Sequence, residues 1–464
     1  MKKTLIALAS VAALGAAHAD VTLYGVIDAG FGSSSMGLGS DVNNPSNSNI
    51  LAIGTQAAAN SVAGRTTSMT NGMVQASRWG LKGDENLGGG MKGMFTLESG
   101  LNIAGGTNPN DHLLLATQNQ GAAGSATGLA GAGDSSLNGQ MFDREASVGL
   151  AGDFGQVTVG FQLNLNGEAM GLNDPHSGGY ISPMGTYGGL SGMGSSFTPR
   201  ASNSIKYKYT MGTTQLNAFY AMGGANGNAG AGSQTGLQAI IQATPNLSVN
   251  LTASRMNDDV SLGGMSAAQA AGANTGVTGL VATYYNATET IAGLIYQATP
   301  TLKLKAGYLT ETQSNPSNAV ADAANNQVLG VPIVQTVAGN LVGAGNTQNV
   351  INTNPYASNV TTTLAWVGFN YDLAATQHLN FGFYSKTASA YTKNNVLSTT
   401  SSTATTAYGQ SNTQIFALVY DYDLSKKSDI YVAANYQKFD TGSQWLQLAG
   451  DSISFFGAGY RMKF

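Results

Sequence analysis

The chain has no cysteine in 464 residues, only 9% charged side chains and, beyond its first nineteen residues, no run of about 18 apolar residues. Each shortage excludes something. Without cysteine there is no disulfide framework, and without a long apolar run no helical membrane span is expected. A formal charge of −4 offers no basic surface for nucleic acid, so no nucleic-acid partner is expected. Histidine is also scarce: past residue 19 only His112, His176 and His378 remain, two of them in predicted loops. No Ser/His/Asp spacing, His-Glu-Xaa-Xaa-His or cysteine site accompanies them, so neither enzyme activity nor a cofactor or metal site is expected.

The first nineteen residues, "MKKTLIALASVAALGAAHA", carry Lys2 and Lys3, an apolar stretch and small residues at Ala17 and Ala19. That pattern predicts a signal peptide over 1–19, cleaved before Asp20. Losing both lysines takes the formal charge from −4 to −6. The remainder, 20–464, is expected to form one domain.

What the chain does have is glycine, 62 residues of it, and a period of two. In "GQVTVGFQ" Val157, Val159 and Phe161 alternate with Thr158, Gly160 and Gln162, and in "TLKLKAGYLT" Leu302, Leu304, Ala306 and Tyr308 alternate with Lys303, Lys305 and Gly307. Such segments are amphipathic strands. Tight turns such as "NLGGGMK", "ATPNL" and "ATPTL" alternate with long connections rich in Gly, Asn, Ser and Thr. The scheme yields sixteen strands, near 21–32, 73–86, 91–103, 141–151, 156–165, 202–211, 214–223, 234–243, 246–257, 284–298, 301–312, 359–373, 378–390, 412–424, 429–440 and 451–464.

An even number of strands of about ten residues, with short turns at one end and long loops at the other, is the pattern of an outer-membrane barrel. Hydrocarbon cannot hydrogen-bond the backbone, so a sheet survives there only if closed. Sixteen strands enclose a lumen too wide for side chains to fill, and water occupies it. The fold class expected is all-β, a transmembrane sixteen-stranded antiparallel barrel. A solenoid would need internal repeats of fixed period, and none is visible.

In such a lumen function rests on charged residues of the inward parity near mid-strand. Parity assigns Arg78, Lys82, Asp84, Lys92, Glu98, Lys206, Lys208, Lys303, Lys305 and Lys386 to the lumen, with Arg200 beside them and Arg461 and Lys463 near the rim, while Trp79 and Leu81 face lipid. Arg144 is contested, because it shares parity with the lipid-facing Val148 and Leu150 unless a bulge intervenes. Cations opposed by Glu98, Asp84, Glu168 and Asp174 would set a transverse field, and their excess points to a weak preference for anions. Tyr24, Tyr296, Tyr371, Tyr384, Tyr420, Tyr436 and Phe464 fall near predicted strand ends, as interfacial girdles require.

Several stretches in order carry a family likeness: "DVTLYGVIDAGF", "SRWGLKGDENLGGGMKGMFTLESG", "FDREASVGLAGDFGQVTVGFQ", "NSIKYKY", "YDLSKKSDIYVAANY" and "GAGYRMKF". The chain resembles the general-diffusion porins of Gram-negative bacteria, in their β-proteobacterial, neisserial-type branch, most closely over 20–162 and 422–464. The resemblance implies a homotrimer of barrels among outer-membrane lipids, passing small hydrophilic solutes and ions. It also implies a third loop, here Asn164 to Ala201, that folds inward to narrow the passage, and it marks Arg144 as a wall arginine. Phe464 becomes part of the signal read by the barrel-assembly machinery. The set expected at the constriction is Arg78, Lys82, Glu98, Arg144, Glu168, Asp174, Arg200, Lys206 and Lys208. The rival reading is a substrate-selective channel or adhesin with its recognition in loops near 33–72, 104–140 and 313–358.

Overall fold

The computed structural model describes residues 20–35, 66–104, 106, 141–186, 199–223, 230, 232–264, 280–316, 354–395, 404–440 and 452–464, with short strand segments between 327 and 352. The expected signal segment and most of loops 33–72, 104–140 and 313–358 lie outside the described residues.

Sixteen strands form the barrel: β1 (Asp20–Ser34), β2 (Arg78–Gly88), β3 (Met91–Gly100), β4 (Glu145–Gly152), β5 (Gly155–Leu163), β6 (Arg200–Met211), β7 (Thr214–Ala221), β8 (Gln234–Thr244), β9 (Leu247–Gly264), β10 (Leu280–Thr299), β11 (Leu302–Ser314), β12 (Val360–Ala374), β13 (Gln377–Ala388), β14 (Ser411–Asp423), β15 (Ser428–Phe439) and β16 (Ser452–Lys463). Each pairs antiparallel with its neighbours, and β1 pairs with both β2 and β16, from Val26↔Lys463 to Ser34↔Phe455, so the ladder closes. Beyond β16, Phe464 and Gly25 exchange both backbone hydrogen bonds at 3.1 Å. Two-residue turns join β2 to β3, β4 to β5, β6 to β7, β8 to β9, β10 to β11 and β12 to β13, while Leu424 to Lys427 joins β14 to β15. Gly88, Gly89 and Gly90 hold φ of 82°, 61° and 79°, a run of left-handed residues that only glycine adopts without strain.

Among the boundaries that differ from the periodicity reading, three sit at breaks in the alternation. β2 begins at Arg78 and not near 73, because β1 pairs with Thr66–Asn71 down to Ala29↔Asn71 and with β2 only from Val26↔Arg78. Residues 72–77 therefore bulge out opposite Ile27 and Asp28. Asp28, fully buried, pins the bulge: its carboxylate accepts N–H groups of Val74 (3.3 Å) and Gln75 (2.7 Å) and the Tyr431 hydroxyl, and its own N–H donates to Ser77 Oγ at 2.9 Å. β9 and β10 run to Gly264 and back from Leu280, past the expected 257 and 284, across a bulge between Met256 and Asp259. There Asp258 has φ 49° and donates its N–H to Asn286 Oδ1 at 2.8 Å.

The outer face is apolar and uncovered, with Leu237, Leu251, Leu294 and Tyr308 each about half exposed or more (67%, 47%, 47% and 50%). Apolar side chains gain nothing from facing water, but they suit hydrocarbon. The inner face is mostly polar along β1 to β9, apart from a patch where Ala201 of β6 and Phe219 and Ala221 of β7 pack with Leu165. Along β10 to β15 it carries a second core: Ile291, Leu309, Leu364, Trp366, Tyr384, Ile415, Ala417 and Val419 pack with Met170, Ile181 and Met184 of the inward loop. Two glycines make room for this seat, since a Cβ on Gly293 would meet Asn173 Oδ1 at 2.1 Å and one on Gly307 would meet the Trp366 ring at 2.1 Å. Tyr384 belongs to this inner core and Tyr24 also points inward, so neither joins a girdle, whereas Tyr296, Tyr371 and Tyr436 are exposed on the outer face.

Candidate functional site

After β5 the chain turns inside the barrel as helix α1 (Leu165–Asn173), continues to α2 (Pro183–Thr186) and returns at β6, with 187–198 outside the described residues. Asn164 caps α1, its Oδ1 accepting the Gly167 N–H at 2.9 Å. At the other end Lys305 donates to the carbonyls of Leu172 (3.0 Å) and Asp174 (2.7 Å), and Trp366 Nε1 donates to the Asn173 carbonyl at 3.1 Å. A cation at a helix C-terminus satisfies free carbonyls and complements the dipole. Farther along, Asn370 donates to the Pro175 carbonyl, His176 Nε2 faces the Ala417 carbonyl at 3.2 Å, and Ile181 is clamped between the Met73 carbonyl (2.9 Å) and Asn435 (2.7 Å). The loop thus covers the wall from β7 round to β15.

Asp174, expected to line the constriction, is fully buried at that wall, where its carboxylate accepts the Tyr384 hydroxyl at 2.5 Å and the Gly178 N–H at 2.8 Å. It fastens the loop instead of facing the passage. Lys305 and Arg461 are likewise engaged, Arg461 with Asp429 at 3.1 Å and Asp421 at 3.4 Å. Burial holds the His176 pKa below its ordinary value, against the pull of Asp174, so the ring is neutral at pH 7.

The wall left facing the loop, β2 to β6, collects the cations. Glu98 on β3 bridges Arg78 (3.3 Å) and Arg144 (2.6 Å) and accepts the Tyr24 hydroxyl at 3.1 Å. Arg200 Nε donates to the Arg144 carbonyl at 2.6 Å. Glu168 of α1 holds Lys206 (2.6 Å) and Lys208 (3.0 Å), tying helix to wall. Lys82 is exposed, 5.3 Å from the centre of the Tyr24 ring. Lys92 pairs with Asp84 at 3.3 Å. Arg144 needs no bulge: β4 starts at Glu145, so Arg144 stands before the alternation, its N–H on the Glu98 carbonyl at 3.1 Å. Burial opposes its charge and Glu98 more than compensates, raising its pKa.

Three participants, Asp143, Glu145 and Tyr180, went unread in the sequence, and a fourth, Tyr24, reads from the sequence as a girdle residue. Asp143 receives the Gly100 N–H at 2.6 Å, and burial raises its pKa. Glu145 takes the Ser147 hydroxyl at 2.7 Å. Tyr180 lies within the electrostatic reach of Arg78, Arg144 and Arg200. Tyr24 crosses Gly80, where a Cβ would stand 2.8 Å from its hydroxyl; an aromatic opposite glycine on the inward parity is a readable signal for it. Lys82, Arg78, Arg144, Arg200, Lys206 and Lys208 stand with Glu98, Asp143, Glu145 and Glu168, six cations against four carboxylates. A field of that sign favours entry of anions.

The sequence profile of Gram-negative porins matches residues 4–442. An outer membrane porin protein of Bordetella pertussis is 31% identical over 212 residues, 45% of this chain and 44% of that protein. Outer membrane porin protein 32 of Delftia acidovorans is 32% identical over 222 residues, 47% of this chain and 48% of that protein. The aligned part spans about half the length of these curated relatives. Among solved structures, the anion-selective porin from Comamonas acidovorans superposes with TM-score 0.57 at 17% identity, covering 96% of this chain and 100% of that one. A loop-deleted OmpT of Vibrio cholerae gives 0.58 at 13% identity, covering 96% and 99%. These structural likenesses share the sixteen-stranded fold. With the profile covering nearly the whole chain and the barrel closed, the chain belongs to the family of Gram-negative porins, proteins of the outer membrane.

Proposed function

We propose that the chain forms a water-filled channel for passive diffusion of small hydrophilic solutes and ions, with a weak preference for anions. The observation that carries this reading is the cation-rich wall of β2 to β6 facing a loop fastened to the opposite wall. On this reading the constriction is lined by Arg78, Lys82, Glu98, Arg144, Arg200, Lys206, Lys208 and Glu168, and Asp174 acts indirectly by holding the loop. No step of chemistry is needed, and the protein is not an enzyme.

The assembly is a homotrimer embedded in outer-membrane lipid, each chain with its own pore. Family membership supports it, and OmpT of Vibrio cholerae, similar in fold, is described in a trimer form. Phe464 serves as the residue read by the barrel-assembly machinery. Single-channel recording in a planar bilayer tests the channel: stepwise conductance proportional to salt concentration is expected, and no conductance from folded protein would overturn it.

A further inference from the structure

Behind α1, on the inner face, two carboxylates stand side by side. Glu289 of β10 and Glu311 of β11 are direct partners in the antiparallel register, and both are 1% exposed. Direct partners place their Cβ atoms about 4.5–5.5 Å apart on the same face. Gln313 Nε2 donates to one Glu311 oxygen at 3.0 Å, and Gln313 is in turn held by the Tyr356 hydroxyl. Both oxygens of Glu289 are buried without a hydrogen-bond partner. Like charges directly opposed in a sheet are destabilising, and burial increases the cost. Lys386 interacts electrostatically with Glu311, one positive charge for two negative ones.

Neighbouring side chains supply more oxygen. Ser254 of β9 is the direct partner of Glu289, and Thr362 of β12 is that of Glu311. The row across four strands therefore reads Ser, Glu, Glu, Thr, all on the inward parity. Asn166 of α1 joins the row: it is 1% exposed and its Oδ1, which has two lone pairs, takes the Ser254 hydroxyl at 2.6 Å on one of them. Hard divalent cations select such a set, with carboxylate, hydroxyl and amide oxygens.

We infer that Glu289 and Glu311, with Ser254, Thr362 and Asn166, form a binding site for a divalent cation of the calcium type that staples α1 to the β9–β12 wall. The ion offsets the opposed carboxylates, and through Asn166 it ties the start of the inward loop to the barrel. It stands apart from the cation-rich wall of β2 to β6, so its occupancy sets how firmly the loop is seated and not the sign of the field.

Calcium or magnesium added to chelator-treated, detergent-purified protein tests the site by calorimetric titration and thermal unfolding. Wild-type protein should bind one ion per chain in this site and unfold at a higher temperature when it is filled. Glu289→Gln, close in shape and free of charge, should weaken that binding by at least about tenfold and abolish the thermal shift, while Asp84→Asn on the far wall keeps both. Folding of each variant is checked by its heat-modifiable gel migration. Two results would overturn the site: no saturable binding by the wild type, or binding and thermal shift unchanged in both Glu289→Gln and Glu311→Gln. A Glu289→Gln protein more stable than wild type, with no response of either to calcium, also counts against it and indicates a carboxyl pair sharing a proton.

Discussion

At the scale of single residues, Glu98 organises the cationic wall. It touches Arg78, Arg144 and Tyr24 at once, on a strand that the alternation "MKGMFTLESG" already turns toward the lumen. Replacing it by Gln removes one negative charge and leaves two guanidinium groups with weaker acceptors, at a cost of about 1–3 kcal/mol. Glu98→Gln should therefore lower thermal stability and increase anion preference together; a loss of anion preference would show that Glu98 does not act in the passage. Parity could speak to Arg78, Lys82, Lys206 and Lys208, because they lie inside regular strands. It left Arg144 contested, because no ladder runs there, and it had nothing to say of Asp174, whose side-chain direction depends on a loop fold. Asp143 and Tyr180 carried no periodic signal at all.

At the scale of elements, the inward loop is seated by an apolar core inside the barrel. Its signal was present in the sequence: "IFALV" over 415–419 is apolar on both parities, as a strand covered on both faces must be. Helix α1, by contrast, occupies a Gly- and Asn-rich segment with weak amphipathicity and depends on Lys305, Trp366 and Asn164 for its ends. Trp366→Ala should cost about 3–5 kcal/mol and enlarge or destabilise the open channel, read as higher or noisier single-channel current; unchanged current would mean the seat does not position the loop. His176 adds a pH dependence. Its folded pKa lies below the ordinary 6.5, so below about that pH the unfolded chain binds the proton more readily, and stability falls as pH falls. His176→Gln can still donate to the Ala417 carbonyl and should lose this share of the acid sensitivity, measured as thermal unfolding between pH 7.5 and 5; an unaltered profile would place the sensitivity elsewhere.

At the scale of the whole molecule, the strand count, alternating loop lengths and closure were legible, because hydrocarbon outside and water inside impose one strict period on every strand. The bulges at 72–77 and at Asn257 to Asp258 were not, since each is defined by interrupting that period. The balance of charge across the lumen follows from this architecture: a loop fastened to one wall faces another that gathers six cations, against four carboxylates of which Glu168 is the loop's own. The chain carries a net negative charge, yet the passage is read as favouring anions, and this contrast makes ion selectivity the most direct test. The zero-current potential across a bilayer holding the protein, under a potassium chloride gradient, should show chloride more permeant than potassium, and Arg78→Glu should move it toward potassium. A wild-type potential showing potassium preferred would contradict the account.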